Sequence, residues 1–93
     1  MSTRYKLIFF TPPKDLAKIK AAIFSTGAGS YPGPGGYTEV CFTTPGIGQF
    51  KPGPGASPHI GTPGQVEEVG EVKCEILCDG REVAKKAVVA LKR

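Results

Sequence analysis

Three features of this sequence predict an α+β fold in the order strand, helix, strand, strand, helix. Two arms with regular apolar patterning, one at each end, read as a strand followed by a helix. Between them lies a turn-rich middle: of 13 Gly and 9 Pro, only Pro12, Pro13, Gly70 and Gly80 fall outside 27–64. One β-branched and aromatic run interrupts that middle and supplies the remaining strand. The chain is 93 residues and 9.8 kDa, the size of one domain spanning 1–93, with glycine- and proline-rich loops at about 27–36 and 45–66.

The first arm opens with Tyr5-Lys6-Leu7-Ile8-Phe9-Phe10-Thr11. Tyr5, Leu7 and Phe9 share one face, while Ile8 and Phe10 join Lys6 on the other, so the strand is apolar on both sides and belongs in a sheet centre or at an interface. Pro12-Pro13 ends it and suits a first helical turn. Leu16, Ile19 and Ile23, with Ala22 and Phe24 beside them, recur at helical spacing and predict a buried stripe. Gly27 is placed to stop that helix.

In the middle, Tyr37-Thr38-Glu39-Val40-Cys41-Phe42-Thr43-Thr44 reads as a strand. The second arm alternates as Glu71-Val72-Lys73-Cys74-Glu75-Ile76-Leu77-Cys78, with Val72, Cys74, Ile76 and Cys78 inward. Asp79-Gly80-Arg81-Glu82 fits a capping box for the second helix. Ala84, Ala87, Val88 and Leu91 form its apolar stripe, and Lys85, Lys86, Lys92 and Arg93 load its outer side and end.

This element order is the ferredoxin-like split βαβ, an antiparallel sheet with two helices on one face, lacking its final strand. That strand would lie beside the first. Without it the apolar run Leu7-Ile8-Phe9-Phe10 has an open edge, which recruits other chains. A partner subunit, a loop folded back over it, or a natural C-terminus beyond Arg93 would each cover this edge, and the sequence does not choose among them. Left uncovered it predicts association, and the expected form is a homo-oligomer, a dimer or trimer.

The three cysteines are an odd number in a small chain, which disfavours a secreted disulfide framework. Cys74 and Cys78 lie four apart on a strand, about 13 Å along it, too far to bridge. All three thiols, Cys41 included, are expected reduced, with burial the simplest role. No apolar run approaches the ~20 residues of a membrane helix, and the N-terminus offers four apolar residues, Leu7 to Phe10, where a secretory signal needs roughly 7–15. The expected location is the cytoplasm.

The stretch Phe42-Thr43-Thr44-Pro45-Gly46-Ile47-Gly48-Gln49-Phe50-Lys51-Pro52, followed by Gly55-Ala56-Ser57-Pro58-His59-Ile60-Gly61 and by Gly64-Gln65-Val66-Glu67-Glu68-Val69-Gly70-Glu71-Val72-Lys73-Cys74-Glu75, resembles the domain inserted in the YqfO proteins of the NIF-three-like family. The resemblance extends back through Tyr5 to Phe10 and covers nearly the whole chain. It implies a module of PII-like and CutA-like type. The family continues into a His-Pro-Tyr-Glu-Glu-Pro stretch and a closing strand that this sequence does not reach, and it keeps its paired metal site in flanking domains, so no metal ligand carries over. Tyr31-Pro32-Gly33-Pro34-Gly35-Gly36 is richer in glycine than the family's usual turn.

The segment 46–61 is the candidate site. Gly46 and Gly48 let backbone amides approach an anion, with Gln49, Lys51 and His59 as side-chain helpers. No Gly-Lys-Ser/Thr follows at Walker spacing. A structural loop explains the same glycines. His59 is the one histidine, and no acid lies between Glu39 and Glu67 to orient it as a base. Glu67, Glu68, Glu71 and Glu75 admit a hard cation but read first as a solvated strand face. A net charge of +4, without the aromatic motif of an RNA-recognition domain, argues against nucleic acid. No catalytic residue, cofactor or complete metal-ligand set is named. The sequence points to a binding or assembly module of unassigned ligand, a small molecule or metal ion held between subunits. The alternatives are an accessory domain of a metal-dependent hydrolase and a purely structural interaction module.

Overall fold

The computed structural model describes residues 3–58 and 61–92. Strand β1 (Arg4–Thr11) leads through a 3₁₀ turn (Pro13–Asp15) into helix α1 (Leu16–Phe24). Strand β2 (Phe42–Phe50), strand β3 (Glu67–Asp79) and helix α2 (Arg81–Leu91) follow. The sheet order is β1-β3-β2, antiparallel throughout. This is the predicted split βαβ, with β1 on an outer edge.

The core forms where both helices cover one sheet face. Phe9, Ile23, Cys74, Ile76, Cys78 and Ala87 are buried together, with Leu16, Ile19, Phe24, Val83 and Leu91 packed around them. Alternation on β3 places Cys74, Ile76 and Cys78 inward, each 0–1% exposed, as their period of two requires. Opposite them, Lys6, Ile8 and Phe10 of β1 stand on the face without helices. Ile8 is 47% and Phe10 63% exposed.

The segment between α1 and β2 is ordered by backbone pairing. Gly29 donates its amide to the Leu77 carbonyl at 2.7 Å and accepts from the Val40 amide at 2.9 Å. The turn around 31–37 closes with the Tyr31 amide on the Tyr37 carbonyl at 2.8 Å.

Several elements depart from the sequence reading. The middle strand spans Phe42–Phe50 and not 37–44. The reason is β3, which runs thirteen residues and begins at Glu67, so its first half supplies ladder partners to Pro45, Gly46 and Gly48. Pro45 is compatible with a strand because β2 lies on an edge. The capping box does not form. Asp79 ends β3 with its carboxylate 3.8 Å from Arg4 Nε, and α2 starts at Gly80 without a side-chain cap. Val88 is 39% exposed, Val83 taking its place against the core. Ala22 also faces outward.

β1 pairs with β3 only over Val72–Asp79, whereas β2 pairs over Glu67–Glu75. Residues 46–50 and 67–71 therefore form a two-stranded arm beyond the helices. The arm explains extents of 53 × 22 × 20 Å and a radius of gyration of 16.2 Å, against about 12 Å for a compact domain of this length.

Candidate functional site

Residues paired across an antiparallel sheet project to the same face. On the helix-free face, Ile8, Glu75 and Phe42 make one row and Phe10, Lys73 and Thr44 the next. Gly46 faces Glu71, and Gly48 faces Val69. Where the arm leaves the body, Phe10, Thr44, Gly46, Gly48, Glu71 and Lys73 line a concavity of about 260 Å³. A second, of about 380 Å³, lies between Lys6, Tyr31, Phe42, Glu75 and Leu77.

Charge alternates along this face. Glu71, Lys73 and Glu75 stand at every second position of β3, and Lys6 Nζ reaches Glu75 Oε1 at 3.4 Å. The missing side chain at 48 is occupied by a neighbour: a Cβ there would lie 2.9 Å from Glu71 Cδ, so the glutamate folds across the bare backbone. Nothing lies within 4 Å of a Cβ added at Gly46. Gly48→Ala is thus expected to swing Glu71 off its position at a cost of about 1 kcal/mol. Gly46→Ala should be nearly neutral. The carbon-13 shift of the Glu71 carboxyl, followed with thermal melting, checks both; equal shifts in the two variants would contradict the assignment.

Of the residues the sequence singles out, Gly46 and Gly48 line the first concavity. Both lie within β2 and not in a loop. Gln49 is paired with Glu68, and alternation turns it to the other face of the arm. Lys51 follows the end of β2 and is exposed. His59 lies outside the described residues. Phe10, Thr44 and Lys73 were not foreseen as lining residues. The signal for Phe10 was present in a first strand apolar on both faces. Glu71 read as part of a solvated strand face, which in the arm it partly is.

The three thiols are free. Cys74, fully buried, is pushed up to about 11, first by burial and then by the neighbouring Cys41. Burial likewise raises Cys78. Both are core groups in the protonated state and not nucleophiles. Among the described residues no group of three or more His, Cys, Asp or Glu is placed to hold a metal ion, and no helix is long and apolar enough to cross a membrane.

The fold and its open face define a three-stranded α+β module of ferredoxin-like topology. No protein-family profile matches the chain, but individual proteins do. It is 35% identical over 85 residues to the Mycobacterium leprae GTP cyclohydrolase 1 type 2 homolog, covering 91% of this chain and 21% of that protein. The Bacillus subtilis protein of the same description is 40% identical over 70 residues, 75% of this chain and 18% of its own length. The crystal structure of a Bacillus cereus protein related to NIF3 superposes with a TM-score of 0.74 at 27% identity, over 95% of this chain and 21% of that one. The chain is a homologue of one segment of the NIF3-related proteins. It spans about a fifth of the length of the curated relatives it matches.

Proposed function

We propose that this chain is an assembly module whose sheet is completed by further copies of itself, with the glycine-lined concavity holding a small molecule or metal ion at the boundary between copies. The observation that carries this reading is the state of β1. Its outer edge has no partner strand among the described residues, and Ile8 and Phe10 stand exposed beside it. The opposite edge is blunted by Pro45, a device that discourages strand addition. Pairing at β1 extends the sheet on that side only, and packing of the helix-free faces closes the assembly as a dimer or trimer. The helix-free face adds Phe42, 65% exposed, and the alternating Glu71, Lys73, Glu75 and Lys6 charges let like faces meet with opposite signs opposed.

The relatives' description names a homolog of an enzyme. For this chain the reading is binding and not turnover, because the lining residues are an aromatic ring, Pro45, Ile47, a hydroxyl, two glycines and a mixed charge pair, and among the described residues no side-chain hydrogen bond sets a nucleophile beside a base there.

Phe10→Glu tests it. The substitution lies at an exposed position, so the monomer should keep its fold by circular dichroism. In sedimentation equilibrium the variant is expected at 9.8 kDa, with the parent at two or three times that mass. A variant that keeps the parent's oligomeric mass would refute the role of this face.

A further inference from the structure

The two layers of the molecule carry opposite charge. The 3₁₀ turn, α1 and α2 with its following Lys92 hold seven Lys and Arg against two acids, Asp15 and Glu82. The three strands hold three Lys and Arg against five acids. A net charge of +4 thus conceals a basic helix side and an acidic sheet side.

On the helix side, between the C-terminal end of α1 and the outer flank of α2, runs an open groove of about 430 Å³. Its floor is small and apolar: Ala22, Val89 and Ala90. Val89 is 55% exposed. Lys85 and Lys86 form its wall. Lys85 sits 3.9 Å from Glu82, one turn back, and Lys86 makes no ion pair among the described residues.

The last carbonyls of α1, at the end of the helix that borders this groove, are occupied. The Ser25 amide caps Ala21 at 3.1 Å and the Gly27 amide caps Phe24 at 3.1 Å. The Ser25 and Thr26 hydroxyls donate to Ala22 and Ile23, each at 2.6 Å. The negative end of the helix dipole is therefore quenched by its own donors, and the lysines set the sign of the groove.

We propose that this groove docks an acidic, amphipathic segment of a partner protein, with its apolar side chains over Ala22, Val89 and Ala90 and its carboxylates against Lys85 and Lys86. Charge complementarity selects an acidic partner. The apolar floor selects among acidic partners. A phosphate backbone is bound by Lys and Arg without need of an apolar trough, and an anionic bilayer takes a convex apolar face and not a recess. A helix laid into an apolar groove uses both features at once. The groove lies on the opposite side of the sheet from the concavity at Gly48, so this docking does not depend on the assembly reading.

The test is fluorescence anisotropy on the full chain with a labelled probe peptide carrying leucine at helical spacing and glutamate elsewhere. The comparators are the same peptide with serine for leucine, a mixed-sequence DNA duplex, and phosphatidylserine vesicles. The probe peptide should bind, with affinity falling as salt rises. Lys86→Glu and Val89→Ser should each weaken it about tenfold, a change of about 1.4 kcal/mol. Lys14→Glu, an equal charge change elsewhere on the helix layer, should leave it within about twofold, by the additivity of distant sites. Each substituted position is exposed, and thermal melting confirms that the variants stay folded. Absence of peptide binding overturns the proposal. So does equal binding of the serine peptide, an equal loss with Lys14→Glu, or tighter binding of the duplex or the vesicles.

Discussion

Replacing Gly29 by alanine is expected to cost the fold about 3 kcal/mol, a large share of the roughly 5–10 kcal/mol that holds a domain of this size together. Two terms add. Gly29 has φ +80°, a left-handed conformation that costs an L-residue about 1–2 kcal/mol. A Cβ there would also lie 2.8 Å from Phe24 Cε1 and 2.9 Å from the Val40 carbonyl oxygen. The oxygen is backbone and has little freedom to retreat, because the Val40 amide donates to the carbonyl of Gly29 itself. Phe24 packs on the core and cannot swing out without opening it. Urea titration measures the effect, with Gly46→Ala as the companion at an open position. A loss under about 1 kcal/mol at Gly29 would show that the segment between α1 and β2 is not fixed to the sheet in this way.

The second large effect is alkaline. Cys74 rises from an ordinary 9.0 to about 11 in the folded chain, chiefly through burial. The folded state thus holds this proton more tightly than the unfolded chain does. Below about pH 9 the thiol is protonated in both states and stability does not depend on it. Between pH 9 and 11 unfolding releases the proton, so stability falls with rising pH, by about 3 kcal/mol over the whole interval. Cys78 shifts in the same direction and adds to the loss. Cys74→Ala, less stable at neutral pH for want of the sulfur, should lose less of its remaining stability over this range. Urea midpoints of the two proteins from pH 8 to 11 check the sign. Parallel curves would contradict burial of the thiol proton.

The strand–helix units at the two ends were legible because each states its periodicity within about twenty residues. Tyr5 to Thr11 and Val72 to Cys78 alternate, and Leu16, Ile19 and Ile23 repeat at helical spacing. The middle strand was misplaced for a physical reason. Pro45, Gly46 and Gly48 have poor strand propensity, and only the ladder to β3 makes them a strand, a long-range contact that local pattern does not carry. Asp79 failed as a cap because sheet pairing with Arg4 holds it in β3. The concavity was half legible. Its glycines stood out, but Phe10 and Lys73 join them only through register across three strands. The basic groove was hidden by the net charge, which sums the helix and sheet layers.

The proposed assembly requires that β1 not end the sheet in solution. Static light scattering on the unmodified chain, from micromolar to near-millimolar concentration, tests it most directly. The expected result is a mass of two or three times 9.8 kDa that holds as the sample is diluted to tens of micromolar. A mass of 9.8 kDa at every concentration would contradict it, and would leave Ile8 and Phe10 as an exposed surface with no copy of this chain to cover them.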